Sequence, residues 1–204
     1  MSLALDASIR IKNSAELFLE STHILSMLEQ FGQVLITGSF ALNTMVWNDL
    51  DLQIEVPPES DERVVMATIV ENLIRTQRLK ELKYIDFYIK KKPTMPKGRY
   101  IGLEILDEKT SDSWKVDLWM LSKKDFEANR SFMFEMTREL VGPIRDLVVE
   151  LKWELTQKFG RPPQLASYFI YQAVAYEGLR DHSMILNYLE KNGVDLSGYN
   201  SKKA

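Results

Sequence analysis

The chain has 204 residues, 45% of them hydrophobic and 27% charged, so it is long enough to bury a core and contains no biased tract. Its formal net charge of −3 argues against a dedicated nucleic-acid binder with a broad basic surface. The absence of cysteine excludes a disulfide framework, a thiolate nucleophile and a cysteine zinc site.

The first part of the chain alternates predicted helices and strands. Apolar residues at helical spacing predict a helix over residues 8–30, which Gly32 can end. A short apolar strand is predicted over residues 33–37 and about two turns of helix over residues 39–47. Strict alternation of apolar and polar residues then predicts a half-buried strand over residues 49–56.

A further helix is predicted to reach Gln77, because Ser60 can cap its start and the acidic residues after it suit the positive end of a helix. Three strand candidates follow it, separated by sequences rich in loop-forming residues. They cover residues 83–90, 99–106 and 114–121.

The character of the sequence changes after residue 121. Helical patterns follow one another, separated by Gly142-Pro143 and by a Gly-Arg-Pro-Pro stretch, and residues 197–204 are expected to form a frayed tail. We therefore predict an α/β (α+β) fold with a mixed sheet in residues 1–121, followed by a helical domain in residues 122–204.

Three aspartates interrupt the predicted strands in a way that needs a chemical reason. Alternation sends Asp49 and Asp51 to the same side of one strand, where two like charges repel. Asp117 interrupts another apolar strand, and a neighbouring position in the sheet would bring it against the first two. A hard divalent cation such as Mg²⁺ would remove the repulsion by accepting carboxylate oxygens. A solvated strand face is the structural alternative.

A Gly-Ser pair precedes the first two aspartates. Gly38 and Ser39 follow an apolar strand and open a predicted helix. A glycine lets the backbone approach a phosphate closely, amide groups at a helix start point at phosphate oxygens, and the Ser39 hydroxyl can add a donor. A simple helix N-cap is the alternative role for Ser39. Lys152, in the helical part, is a further but weaker candidate for a phosphate contact.

This combination resembles the nucleotidyltransferase superfamily that includes DNA polymerase beta. The resemblance is carried by Gly38-Ser39, by the Asp-Leu-Asp of residues 49–51 nine residues later, and by the distant Asp117. The chain is most similar in appearance to small bacterial aminoglycoside and lincosamide nucleotidyltransferases and to minimal nucleotidyltransferases of toxin–antitoxin systems. Two departures are Asn48, where the family more often has serine, and the lack of an extra glycine after Gly38-Ser39.

The resemblance implies a concrete activity. Asp49, Asp51 and Asp117 would be the catalytic and metal-binding residues, holding two Mg²⁺ ions, while Gly38 and Ser39 would bind the nucleotide. A nucleoside triphosphate, expected to be ATP, would donate a nucleoside monophosphate to a hydroxyl group and release pyrophosphate.

The sequence indicates the acceptor molecule and the binding partners less directly than the reaction. A small hydroxylated molecule is favoured because the chain is short and acidic, and nucleic acid is disfavoured without being excluded. Transfer to a protein or to an RNA 3′ end is the alternative, and a non-catalytic nucleotide-binding or partner-binding module on the same fold is another. No apolar run is long enough to span a membrane and no signal peptide is evident, so we expect a cytoplasmic protein, with homodimer formation left open.

Overall fold

The computed structural model describes residues 2–92 and 95–197, so the predicted tail lies outside the described residues from residue 198 onward. The helices found there are α1 (Leu3–Thr22), α2 (Ile24–Leu28), α3 (Gly38–Ala41), α4 (Glu62–Thr76), α5 (Lys123–Glu139), α6 (Pro143–Phe159), α7 (Ala166–Ala175) and α8 (His182–Lys191). The strands are β1 (Gln33–Thr37), β2 (Asp49–Glu55), β3 (Leu79–Asp86), β4 (Gly98–Leu106) and β5 (Ser113–Leu121). Within the described ranges, none of the helices combines the length and the apolar character that crossing a membrane requires.

The five strands form one mixed sheet in the order β1-β2-β5-β4-β3. The central pair, β2 and β5, runs parallel, whereas each of the other neighbouring pairs is antiparallel. Parallel strands require a long connection, and here it contains α4, β3 and β4. This mixed sheet with its helices confirms the predicted α/β class.

Two predicted helices differ from the observed ones. The helix predicted over residues 8–30 begins earlier, at Leu3, and is divided at His23, whose left-handed backbone (φ 52°) separates α1 from α2. The helix predicted over residues 39–47 is only four residues long. Asn43 lies in the left-handed region (φ 54°), which a continuing right-handed helix does not allow.

The position of β3 also differs from its prediction. A strand was predicted over residues 83–90, but β3 starts at Leu79 and ends at Asp86. The side chain of Asp86 accepts a hydrogen bond from the backbone N–H of Tyr88 at 2.9 Å. Such a bond to the chain two residues ahead forms a local turn, so the apolar residues after Asp86 do not continue the strand.

Alternation gives the sheet one apolar face. Leu50 and Leu52 of β2 and Val116 of β5 are fully buried, whereas the residues between them point to the other side. Phe18 of α1 stacks on Trp114 with 5.0 Å between the ring centroids, so α1 covers this face at β5. The polar residues of the central strands are therefore left on the opposite face.

The described backbone divides into two compact units. The sheet unit comprises Lys12–Ala41 and Asn48–Met133 and contains all five strands. The helical unit comprises Met1–Ile11, Leu42–Trp47 and Phe134–Ala204. The division into a catalytic domain that ends at residue 121 and a helical domain after it stays a prediction.

A buried polar cluster lies inside the helical unit. Lys152 of α6 is 1% exposed, and its Nζ donates hydrogen bonds to the backbone oxygen of Thr44 at 2.8 Å and to the hydroxyl of Tyr171 at 2.9 Å. The hydroxyls of Thr44 and Tyr171 are also 2.9 Å apart and hydrogen-bonded. The lysine considered above for a phosphate contact is thus satisfied by neutral groups within its own unit.

We expect Tyr171→Phe to lower the free energy of unfolding, because it removes one acceptor of the buried Lys152 ammonium, at a cost of roughly 1–3 kcal/mol. The matched control is Tyr168→Phe, which removes an exposed hydroxyl on the same helix that accepts a hydrogen bond from Gln172. Urea unfolding of both variants measures the difference. Equal losses would show that the cluster contributes no more than a surface hydrogen bond.

Candidate functional site

The three predicted aspartates lie on the polar face of the sheet unit. Asp51 of β2 is paired directly with Asp117 of the parallel neighbour β5. Asp49 precedes Asp51 by two residues and therefore lies on the same face. The side chains of Asp49 and Asp117 are 14% and 19% exposed, so both are mostly shielded but reachable from solvent. The structure thus brings the three carboxylates to adjacent strands, while their role as metal ligands stays a prediction.

Lys115 is a member of this site that the sequence did not single out. It is paired with Asp49 across the two strands and precedes Asp117 by two residues on β5. Its Nζ donates to Asp49 Oδ1 at 3.1 Å and to Asp117 Oδ2 at 2.6 Å. Burial alone would lower the pKa of Lys115, but Asp49 and Asp117 outweigh it, and the pKa is raised above its ordinary value.

The donor set fits a hard cation only in part. Asp49 and Asp51 offer two carboxylates on one strand face, which is a typical protein contribution to a Mg²⁺ site. However, across residues 2–92 and 95–197 no three His, Cys, Asp or Glu side chains form a group that could hold a metal ion. The Lys115 ammonium lies between Asp49 and Asp117. The residues therefore fit a cation held by Asp49 and Asp51.

Tyr100 of β4 contacts the oxygen of Asp117 that Lys115 does not contact. Its hydroxyl donates to Asp117 Oδ1 at 2.7 Å. Burial, followed by the negative charge of Asp117, raises the pKa of Tyr100 above its ordinary value, so the phenol stays a donor. Gly102, which is paired with Asp117, leaves the necessary space, because a Cβ there would lie 2.5 Å from the Tyr100 hydroxyl oxygen.

Gly38 is required at its position for two independent reasons. Its backbone is in the left-handed region (φ 63°), where a side chain is unfavourable. A Cβ on Gly38 would also collide with the carboxylate of Asp51, because Thr37 at the end of β1 is paired with Asp51. Ser39 follows in α3 and is 7% exposed. The structure places both residues beside the carboxylates, and their contact with phosphate stays a prediction.

An aromatic cluster lies next to the carboxylates on the same face of the sheet. Trp119 follows Asp117 by two residues on β5, and its ring centroid is 4.9 Å from that of Tyr100. Phe87 stacks on the Trp119 ring at 5.1 Å. Trp119 and Tyr100 are only partly buried. Along β5, the polar face of the sheet therefore carries a charged group at Asp117 and a flat apolar surface at Trp119.

The sequence motifs did not point to Tyr100, Gly102 or Lys115. Strand alternation does contain a signal for each: Lys115 shares a face with Asp117, and Tyr100 shares one with Gly102. Alternation does not reveal the register between β4 and β5, which sets Gly102 opposite Asp117. The contact of Tyr100 with Asp117 was therefore not deducible from the strand patterns alone.

No protein-family model matches the chain, and no curated protein matches it by sequence. Solved structures do match. Cid1, described for its RNA terminal uridylyl transferase activity, has a TM-score of 0.56 at 13% identity, over 83% of this chain and 48% of its own. The non-canonical poly(A) polymerase complex GLD-2–GLD-3 has a TM-score of 0.48 at 16% identity, over 95% of this chain and 61% of its own. A GTP pyrophosphokinase family protein from Streptococcus pneumoniae has a TM-score of 0.37 at 11% identity, over 95% of this chain and 93% of its own.

The match to Cid1, with its TM-score above 0.5, shows the fold of the chain. The chain spans about half the length of Cid1. The shared fold agrees with the resemblance that Gly38-Ser39 and the three aspartates carry.

We expect Gly38→Ala to destabilise the protein more than Gly178→Ala. Both glycines have nearly the same φ, 63° and 64°, but a Cβ on Gly178 would meet nothing within 4 Å. The two variants therefore share the backbone strain, and only Gly38→Ala adds the collision with Asp51, worth about 1–3 kcal/mol for an overpacked site. Urea unfolding measures the difference. Losses of equal size would contradict the close approach of Gly38 to Asp51.

Proposed function

We propose that the protein is a magnesium-dependent nucleotidyltransferase, which transfers a nucleoside monophosphate from a nucleoside triphosphate to a hydroxyl group and releases pyrophosphate. The observation that carries this proposal is the set of three carboxylates on adjacent strands, with Asp51 directly opposite Asp117. The fold supports it, because it is the fold on which nucleotidyltransferases are built. Phosphoryl chemistry needs little more from a protein than positioned substrates and neutralised charge.

The residues take separate roles in this proposal. Asp49 and Asp51 would hold the Mg²⁺ ion that accompanies the triphosphate, and Gly38 and Ser39 would contact its phosphates. When bound, Mg²⁺ supplies positive charge against the phosphate oxygens. ATP is the donor that we expect from the resemblance.

The transfer itself exchanges one phosphorus–oxygen bond for another. The acceptor oxygen forms a bond to the α-phosphorus, while the bond from that phosphorus to the bridging oxygen of pyrophosphate breaks. The proton of the acceptor hydroxyl passes to Asp117. A carboxylate has about four lone-pair positions, so Asp117 retains acceptor capacity beside its bonds to Lys115 and Tyr100.

The acceptor that we favour is a small hydroxylated molecule. The net charge of −3 supports this choice, since a long polyanion binds best to a broadly basic surface. The partly exposed rings of Tyr100 and Trp119 beside Asp117 would give such a molecule a flat surface on which to pack.

The metal and nucleotide site is tested by calorimetric titration of ATP, GTP, CTP and UTP in the presence of Mg²⁺. We expect one nucleotide to bind the wild type and to bind Asp49→Asn/Asp51→Asn about 100-fold more weakly or worse, because each lost charged ligand is worth roughly 1.5–3 kcal/mol. The matched control is Glu55→Gln, which neutralises a carboxylate on the same face of β2 beyond the site. Its nucleotide affinity should equal that of the wild type.

Two results would contradict the proposed site. Equal losses in the double variant and in Glu55→Gln would mean that general surface charge, rather than these two ligands, determines binding. Failure of all four nucleotides to bind the wild type would favour the alternative of a partner-binding module on a nucleotidyltransferase fold.

An RNA 3′ end is a second candidate acceptor, with two observations in its favour. Cid1, which shares the fold, is described as an RNA terminal uridylyl transferase. In this chain, Lys90, Lys91 and Lys92 are exposed after β3, next to Ile89, which is 75% exposed. A short run of exposed lysines is the kind of surface that phosphate backbones contact.

If RNA is the acceptor, Lys90→Gln/Lys91→Gln should weaken binding of a short single-stranded RNA and reduce the salt dependence of log K by about one to two units. The matched control is Lys123→Gln/Lys124→Gln, which removes two exposed charges at the start of α5. Fluorescence anisotropy at several salt concentrations measures the slope. Identical slopes for wild type and both variants would leave the small-molecule acceptor as the favoured one.

A further inference from the structure

The Lys115 ammonium lies between two of the three carboxylates expected to bind metal. Its Nζ is 3.1 Å from Asp49 Oδ1 and 2.6 Å from Asp117 Oδ2, so it links the first predicted ligand to the third. In two-metal phosphoryl-transfer sites, a second ion supplies positive charge next to the reacting oxygens. In this chain, the Lys115 ammonium is a positive charge at the same carboxylates.

The backbone, rather than the choice of a side-chain rotamer, determines this arrangement. The parallel register pairs Lys115 with Asp49, and strand alternation puts Lys115 on the same face as Asp117. Any lysine at this position of β5 has both carboxylates within its reach. Its side chain is 34% exposed, so the ammonium is partly withdrawn from water, where its attraction to the carboxylates is stronger.

The local charge balance agrees with one additional divalent cation. Asp49, Asp51 and Asp117 carry three negative charges when ionised, and Lys115 carries one positive charge. Before a nucleotide binds, a single Mg²⁺ ion would therefore balance the two remaining negative charges of these side chains. Asp117 is moreover contacted on both oxygens by protein donors, Lys115 on Oδ2 and Tyr100 on Oδ1. A second ion at Asp117 would therefore lie close to the Lys115 ammonium, and the two positive charges would repel each other.

We propose that Lys115 takes the place of one of the two metal ions, so that the site binds a single divalent cation, at Asp49 and Asp51, instead of two. Lys115 is then a fixed cation that neutralises Asp117 and orients it beside the phosphates. This inference rests on the proposed function, because it concerns the same site loaded with a nucleoside triphosphate.

The number of bound ions tests this inference without measuring catalysis. Equilibrium dialysis of the full chain against Mn²⁺ and saturating α,β-methylene analogues of ATP, GTP, CTP and UTP counts the ions retained per protein-bound nucleotide. The bond that the reaction would break is not cleavable in these analogues. We expect one Mn²⁺ ion for the wild type and two for Lys115→Met, which keeps an unbranched side chain one atom shorter and removes the charge.

Lys115→Arg is the control for a retained charge and should bind one ion, as the wild type does. A thermal melt of each variant, followed by circular dichroism, shows that the protein is folded. If Lys115→Met does not fold, the count on the wild type remains decisive, because two ions there would overturn the inference directly.

The remaining outcomes separate this inference from the proposed function. Two ions on the wild type, with an intact nucleotide site, would mean that Lys115 leaves when metal arrives; the inference would fail and the proposed function would stand. One ion on both the wild type and Lys115→Met would also overturn it, because the lysine would then not be what excludes the second ion. No nucleotide-dependent Mn²⁺ binding by the wild type would overturn both proposals.

Discussion

The parallel pairing of β2 with β5 is the constraint on which the candidate site depends. It sets Asp51 opposite Asp117 and Asp49 opposite Lys115. Three carboxylates and one ammonium therefore lie together on the two central strands. The apolar residues between them, such as Leu52, are fully buried on the opposite face. Because side chains alternate between the faces, a slip of one residue would exchange the charged and apolar sets. The free energy of core burial therefore also maintains the register of the charged groups.

The absence of side chains at two glycines is as important to this site as the charged groups. Gly38 leaves room for the carboxylate of Asp51, and Gly102 leaves room for the hydroxyl of Tyr100 on its way to Asp117. Gly38 directly follows β1, and Gly102 lies within β4. The missing side chains at Gly38 and Gly102 thus provide the space that Asp51 and Tyr100 occupy. Hydrogen bonds from Tyr100 and Lys115 then orient the carboxylate of Asp117.

The parts of the fold governed by local pattern were predictable from the sequence. The alternation of β2 and β5 and the apolar run of β1 marked these strands to within a residue at each end. The Gly-Ser and Asp-Leu-Asp motifs indicated an α/β fold, which the chain shares with Cid1. The errors arose where one residue ended a favourable pattern, as left-handed Asn43 does after α3. The contact of Lys115 with Asp49 was not predictable, because it depends on the pairing of two strands that are distant in the sequence.

That distance has a consequence for how the chain acquires its site. Lys115 and Asp49 are 66 residues apart, and a helix and two further strands lie between their strands in the sequence. Loop-closure entropy opposes contacts of such high sequence separation. During synthesis, β2 emerges with its acidic residues before β5 exists. A chain in which β5 has not yet paired with β2 therefore lacks the charged cluster.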